Sequence, residues 1–181
     1  VVGIIGLGGV GGEVAKRALA MGARVIGLRR DGSESAAQPD WTAGVTAESL
    51  RVVTGEDGLY GLLGDSHYVV ISAPSTPATR GIVSRRALAA MRPDAVLVNI
   101  SRGDLVDEDA LVDALQEGRL RGAGLDVFGV EPVPRDHSYW GLPNVIVTPH
   151  VSAVTRSYWR RGVELIVENL RRFLGDEPLT N

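Results

Sequence analysis

Short runs rich in β-branched residues recur along this chain and are apolar along their length instead of on alternate residues. They fall at 1–5, 23–28, 68–73, 95–100, 123–127 and 145–147. A strand with one wet face alternates apolar and polar residues. A strand apolar on both sides needs cover on both, which a parallel sheet with helices on each face supplies. The intervening segments carry the helical pattern that such cover requires. Residues 10–21 place Val14, Ala15, Ala18 and Leu19 on one face and are closed by Gly22. Weaker or shorter helical patterns follow at 56–63, at 84–91 behind a serine cap, and at 107–117 before Gly118, with a long closing helix at 154–174. Residues 31–44, rich in Gly, Ser, Pro and Asp, read as loop.

This alternation predicts an α/β fold, a Rossmann-type doubly wound parallel sheet in a three-layer α/β/α sandwich. A length of 181 residues corresponds to about one domain. The net charge of −3, with Lys16 the only lysine, provides no basic footprint for nucleic acid or an anionic membrane surface. No apolar run approaches the roughly 18 residues of a membrane span. With no cysteine, the chain has neither disulfides nor thiolate metal sites, which fits a cytoplasmic protein.

Between the first strand and the first helix stands Gly6-Leu7-Gly8-Gly9-Val10-Gly11, a G-x-G-x-x-G in the setting its mechanism needs. The first glycine allows a tight turn, the second lets backbone approach a pyrophosphate, and the third lets helix pack on strand. The helix N-terminus then offers free amides and the positive end of its dipole to phosphate. A dinucleotide is the expected ligand. The usual acid for the adenosine ribose, about 20 residues on, is replaced by Leu28-Arg29-Arg30-Asp31. An acid at position 29 would repel a 2′-phosphate, whereas an arginine can fork onto it. Two readings of this tip stand: Arg29 and Arg30 hold NADP, or they are solvated loop charges while Asp31 takes the ribose of NAD. NADP is preferred.

Four further stretches, "SAPSTPATRG", "VNISRGDLVDEDAL", "GAGLDVFGVEP" and "LPNVIVTPH", follow in order. With the glycine loop they resemble the D-isomer-specific 2-hydroxyacid dehydrogenases over nearly the whole chain. The resemblance implies an active site shared by Arg102 in "NISRG", Glu131 in "VEP" and His150 in "TPH". Each suits the reduction of a 2-keto acid. The planar guanidinium of Arg102 matches a carboxylate, and histidine as a residue type titrates near neutrality and can give and take a proton. Glu131 can fix the imidazole tautomer and stabilise its charged form. The resemblance further implies that Ala73, Pro74 and Thr79 cover the nicotinamide side. It also implies that Ile100 and Ser101 lie near its ribose, that Asp126 meets its carboxamide, and that Ser152 and Ala153 add amides near the ring. Arg102 and His150 would border the same dinucleotide. Asp126 can also be read as a cap on the loop after it.

An arginine at position 29 is similar to NADPH-preferring glyoxylate and hydroxypyruvate reductases within the family. The expected function is hydride transfer between NAD(P)H and a small 2-keto or 2-hydroxy acid, with D specificity and, as in the family, a homodimer. Alternatives are an NAD-dependent relative acting on 3-phosphoglycerate, formate or phosphite, or a dinucleotide-sensing protein of the corepressor kind. The glutamine that formate enzymes carry where Glu131 stands counts against that branch. The family has a separate substrate-binding domain, so residues 1–181 are expected to be the dinucleotide-binding domain of a longer enzyme.

Overall fold

The structure is a computed structural model, and it describes residues 1–30, 42 and 45–180. Asp31, and all of the loop expected at 31–44 except Thr42, lie outside the described residues. The chain divides into two compact units, Val1–Pro149 and a second from His150 on.

The first unit is built on β1 (Val2–Ile5), β2 (Val25–Arg29), β3 (Leu50–Thr54), β4 (Tyr68–Ile71), β5 (Val96–Asn99), β6 (Gly122–Leu125) and β7 (Val145–Val147). These form one sheet in the order β3-β2-β1-β4-β5-β6-β7, parallel throughout. The chain leaves β1 toward β2 and β3, then returns to the opposite side of β1 to lay down β4. The β1/β4 boundary is therefore the switch point, where an open α/β sheet leaves a crevice beyond its carboxyl ends. The expected doubly wound sheet is the observed one.

The helices between strands are α1 (Gly9–Ala20), α2 (Gly55–Asp65), α3 (Arg85–Ala89) and α4 (Glu108–Gln116). Val14, Ala15, Ala18 and Leu19 of α1 pack with Ile4, Leu7 and Val25 on one face of the sheet, the stripe the periodicity predicts. On the other face Leu59, Leu62 and Leu63 of α2 and Leu111 and Leu115 of α4 join Ile5, Ile26, Ile71 and Leu97 in the larger core. Neighbouring Ile4 and Ile5 thus serve opposite faces, which is why β1 reads as continuously apolar. Ser84 accepts from the Ala87 amide at 3.3 Å and Asp107 from the Ala110 amide at 3.0 Å, so both short helices start on side-chain caps. Gly22 and Gly118 end α1 and α4 in the left-handed region, at φ 78° and 67°.

One strand has no counterpart in the sequence reading. Residues 50–54, Leu-Arg-Val-Val-Thr, form β3 at the sheet edge, in register with Val25–Arg29. An edge strand is buried on few of its positions, and Arg51, Val52 and Thr54 are exposed, so the all-apolar signature is missing. The second unit contains α5 (Tyr158–Leu174), four residues shorter at its start than the helical pattern. Arg160 pairs with Glu164 and Arg172 with Glu168 one turn apart along it. No helix among the described residues is long and apolar enough to cross a membrane.

Leu97 is fully buried in a strand paired on both sides. Leu97→Ala should lower unfolding free energy by about 2–5 kcal/mol, read as a shifted urea midpoint at unchanged slope.

Candidate functional site

Because every strand is parallel, the carboxyl ends of β1 to β7 line one edge of the sheet. The glycine loop occupies the switch point on that edge. Gly6, at φ 96°, turns the chain out of β1, and a methyl at this position would lie 2.6 Å from the Ala73 nitrogen. Gly11 is more tightly constrained. A methyl there would lie 2.0 Å from the Gly6 carbonyl oxygen and 2.7 Å from Ser72 Oγ, which itself donates to that carbonyl at 2.7 Å. The absence of a side chain lets α1 press its first turn onto the end of β1. Methyls at Gly8 or Gly9 would meet nothing within 4 Å, so this side of the loop opens outward.

Helix α1 begins on Gly8 with no side-chain cap and no acid in its first turn. Its leading amides, the donors that helical bonding leaves unpaired, therefore lack the usual internal acceptor. Uncapped amides, the positive dipole end and open backbone approach together fit a phosphate anion. Gly6, Gly8, Gly9, Val10 and Gly11 would hold a pyrophosphate here.

On one side of this cradle, Arg29 is the last residue of β2, half-buried, and Arg30 follows, exposed. Arg29 stands in register with Thr54 of β3. On the other side lie the turns after β4 and β5. The Ser101 hydroxyl donates to the Ala73 carbonyl, joining two residues expected at one end of a dinucleotide. The Thr79 hydroxyl donates to the Pro74 carbonyl at 2.7 Å and accepts from the Thr76 amide at 2.8 Å, so it closes its own loop. Asp104 binds Ser75 Oγ at 2.6 Å and Arg80 Nε at 3.2 Å, tying that loop to the turn bearing Arg102. Arg102 is exposed, and its guanidinium donates to the Ser101 carbonyl at 2.6 Å.

The next turn is packed directly against Arg102's. A methyl at Gly103 would lie 1.9 Å from the Phe128 carbonyl carbon, so glycine alone allows the two backbones to meet. Glu131 closes the second turn, its Oε1 accepting from the Phe128 amide at 3.0 Å. Arg102 and Glu131 are thus brought to adjacent turns, although 29 positions apart in the sequence. Asp126, at the end of β6, is 3% exposed and accepts from Thr148 Oγ1 at 2.6 Å, a bond across to the end of β7.

Beneath these turns, Tyr139 packs on Phe128 with ring centroids 6.1 Å apart. Burial, then the carboxylates of Glu108 and Asp109, hold its phenol above the ordinary tyrosine range. It stays protonated, a structural group under the Glu131 turn. His150, Ser152 and Ala153 belong to the second unit. There His150 takes φ 54°, in the left-handed region that is uncommon outside glycine.

Arg29 ends β2 and Arg102 lies in the turn after β5, and those two strands are three steps apart in the sheet, about 14 Å at ordinary strand spacing. Asn99 and Thr148, which the sequence reading passes over, hold this edge through side-chain bonds. Asn99 has a visible signal, a polar residue inside the apolar run at 95–100 and three positions before Arg102.

The family described as D-isomer specific 2-hydroxyacid dehydrogenase, NAD binding domain, matches residues 1–152. A D-3-phosphoglycerate dehydrogenase of Methanocaldococcus jannaschii is 37% identical over 180 residues, 99% of this chain and 32% of that enzyme. A glyoxylate reductase of Thermococcus gammatolerans is 38% identical over 176 residues, 97% of this chain and 49% of that enzyme. The chain therefore spans about half or less of the length of these relatives. A D-isomer specific 2-hydroxyacid dehydrogenase of Xanthobacter autotrophicus Py2, solved in complex with NADPH and MES, superposes with a TM-score of 0.85. It shares 36% identity, over 99% of this chain and 69% of that one.

Gly11→Ala should separate α1 from β1, lowering the melting temperature and weakening NADPH binding at least tenfold, about 1.4 kcal/mol. Gly9→Ala, facing open space, should leave the melting temperature unchanged. Thermal melts and NADPH fluorescence titrations of the two variants check the pair.

Proposed function

Because this chain belongs to the D-isomer specific 2-hydroxyacid dehydrogenases through their NAD binding domain, we propose that it serves an NADPH-preferring reductase of small 2-keto acids such as glyoxylate or hydroxypyruvate. The observation that carries the reading is the shared edge. An uncapped glycine cradle at the end of β1 and a guanidinium at the end of β5 open on one side of one sheet, with only β4 between them. A dinucleotide bound by these residues would supply the hydride for reduction of the acid's carbonyl carbon.

The chain's own residues do the rest. Arg102 takes the substrate carboxylate in a planar fork and polarises the adjoining carbonyl. His150 gives the developing alkoxide its proton, and Glu131 is the third catalytic residue that the family likeness implies. Gly6, Gly8, Gly9, Val10 and Gly11 take the pyrophosphate, and Arg29 with Arg30 the adenosine 2′-phosphate. Ala73, Pro74, Thr79, Ile100, Ser101, Asp126, Ser152 and Ala153 border the nicotinamide half. On this reading residues 1–181 act as the dinucleotide-binding domain of the enzyme, and the relatives' greater length supports a separate substrate-binding domain. Homodimerisation and a cytoplasmic location go with the reading and rest on the family likeness.

A second reading, oxidation of 3-phosphoglycerate with NAD, is favoured by the 37% identity to a D-3-phosphoglycerate dehydrogenase. A panel on the full-length protein separates the two. It combines glyoxylate and hydroxypyruvate with NADPH or NADH, and 3-phosphoglycerate with NAD. The expected result is fastest turnover of a 2-keto acid with NADPH. Preferential turnover of 3-phosphoglycerate would replace the first reading with the second.

Arg29→Asp should reverse the cofactor preference, because a carboxylate repels the 2′-phosphate that arginine attracts. If the unmutated protein binds NADH more tightly than NADPH, the role given to Arg29 is wrong. His150→Asn should reduce turnover by about 10²- to 10⁴-fold while leaving dinucleotide affinity intact. Unchanged turnover removes His150 from the chemistry.

A further inference from the structure

Asn99 is the last residue of β5, a strand paired on both sides, and it is 1% exposed. A buried amide must find partners or cost the fold free energy. Asn99 finds them in the turn that follows it. Its Oδ1 accepts from the Ser101 amide at 3.1 Å, and its Nδ2 donates to the Arg102 carbonyl at 2.9 Å. The first bond is the Asx pattern, a side chain standing in for backbone two residues on. The second extends the grip one residue further, so a single side chain fixes both ends of the Ser101–Arg102 segment.

Ser101 and Arg102 are the residues to which that grip matters. The Ser101 carbonyl accepts from the Arg102 guanidinium, and the Ser101 hydroxyl holds the Ala73 carbonyl at the end of β4. On the far side, Gly103 lies against Phe128. Arg102 itself is exposed, with a long side chain whose rotamer freedom would otherwise be large. Its head can keep one orientation only if the peptides on either side of its Cα are fixed.

We infer that Asn99 is a positioning residue for Arg102, holding the guanidinium where it meets a substrate carboxylate. The inference rests on the keto-acid reading above and adds to it the source of the arginine's geometry. Asn99→Asp keeps the acceptor for Ser101 but removes the donor to the Arg102 carbonyl and sets an oxygen against it. Asn99→Ser keeps a hydroxyl for the Ser101 amide and cannot also reach the Arg102 carbonyl. It is the second variant if the aspartate protein does not fold.

The experiment is a double-mutant cycle in the full-length enzyme. It uses Asn99→Asp, Asn99→Ser, Arg102→Lys and the combinations, measured as kcat/KM for glyoxylate and as the dissociation constant for NADPH. Each Asn99 variant should lose about 10²-fold in kcat/KM, the scale of a misplaced catalytic group, with any loss of NADPH affinity at least tenfold smaller. In the Arg102→Lys background the same substitution should cost nothing further, because the group it positions is already gone. Losses that multiply in the double variant, or NADPH affinity falling in step with kcat/KM, overturn the inference alone. A wild-type protein that reduces no 2-keto acid overturns the functional reading, and this inference with it.

Discussion

The functional edge depends on the pairing of β1. It is held in parallel register on both sides, Val2 to Ile5 against Val25 to Leu28 and against Tyr68 to Ile71. Beyond Ile5 the chain makes one more bond to β2, from the Gly6 amide to the Leu28 carbonyl at 3.1 Å. Gly6 then turns it out of the sheet at φ 96°. The crevice at the switch point, the uncapped start of α1 and the approach of Gly11 to the Gly6 carbonyl all follow from that turn.

Parallel pairing then converts chain order into position. Each crossover returns the chain to the same edge, so residues far apart in sequence arrive as neighbouring turns. The turns are not independent loops. Ser101 is bonded to Ala73, Asp104 to Ser75 and Arg80, Gly103 lies on Phe128, and Asp126 is bonded to Thr148. Four strand ends are thereby linked in series from β4 to β7. Such cross-links hold functional groups to tolerances that a free loop could not maintain.

Much of this was legible in the sequence, and what escaped has a physical cause. Strands and helices were legible because burial on two faces leaves continuous apolar runs and burial on one leaves a helical stripe. Leu50–Thr54 escaped because an edge strand is not buried in that way. The glycine loop was legible because a steric requirement writes itself as a spacing. Gly103 carries an equally strict requirement, but its partner is the backbone at Phe128, and no local pattern announces a contact made only after folding. Asn99 was overlooked for a related reason. A buried amide and a surface amide are the same letter, and only its position at the end of a central strand distinguishes it. Asp126 accepts from Thr148, a residue 22 positions away that β6 and β7 pairing brings alongside and that no local pattern announces.

The edge divides into a hard part and a soft part. Asn99 and Asp126 are buried, and each satisfies its polar atoms with specific partners, so removing a partner strands a buried group at about 1–3 kcal/mol. Ser101 is bound into the same network. Arg29 ends β2, a strand paired on both sides, and is half-buried, whereas Arg30 follows it and is exposed; substitutions at an exposed position usually cost within about 0.5 kcal/mol. The fold therefore tolerates a change of charge at Arg30 far better than a change at the β5 turn. The Ser101–Arg102 backbone, by contrast, is bonded to the buried end of β5 through Asn99, and altering it means rebuilding a buried network.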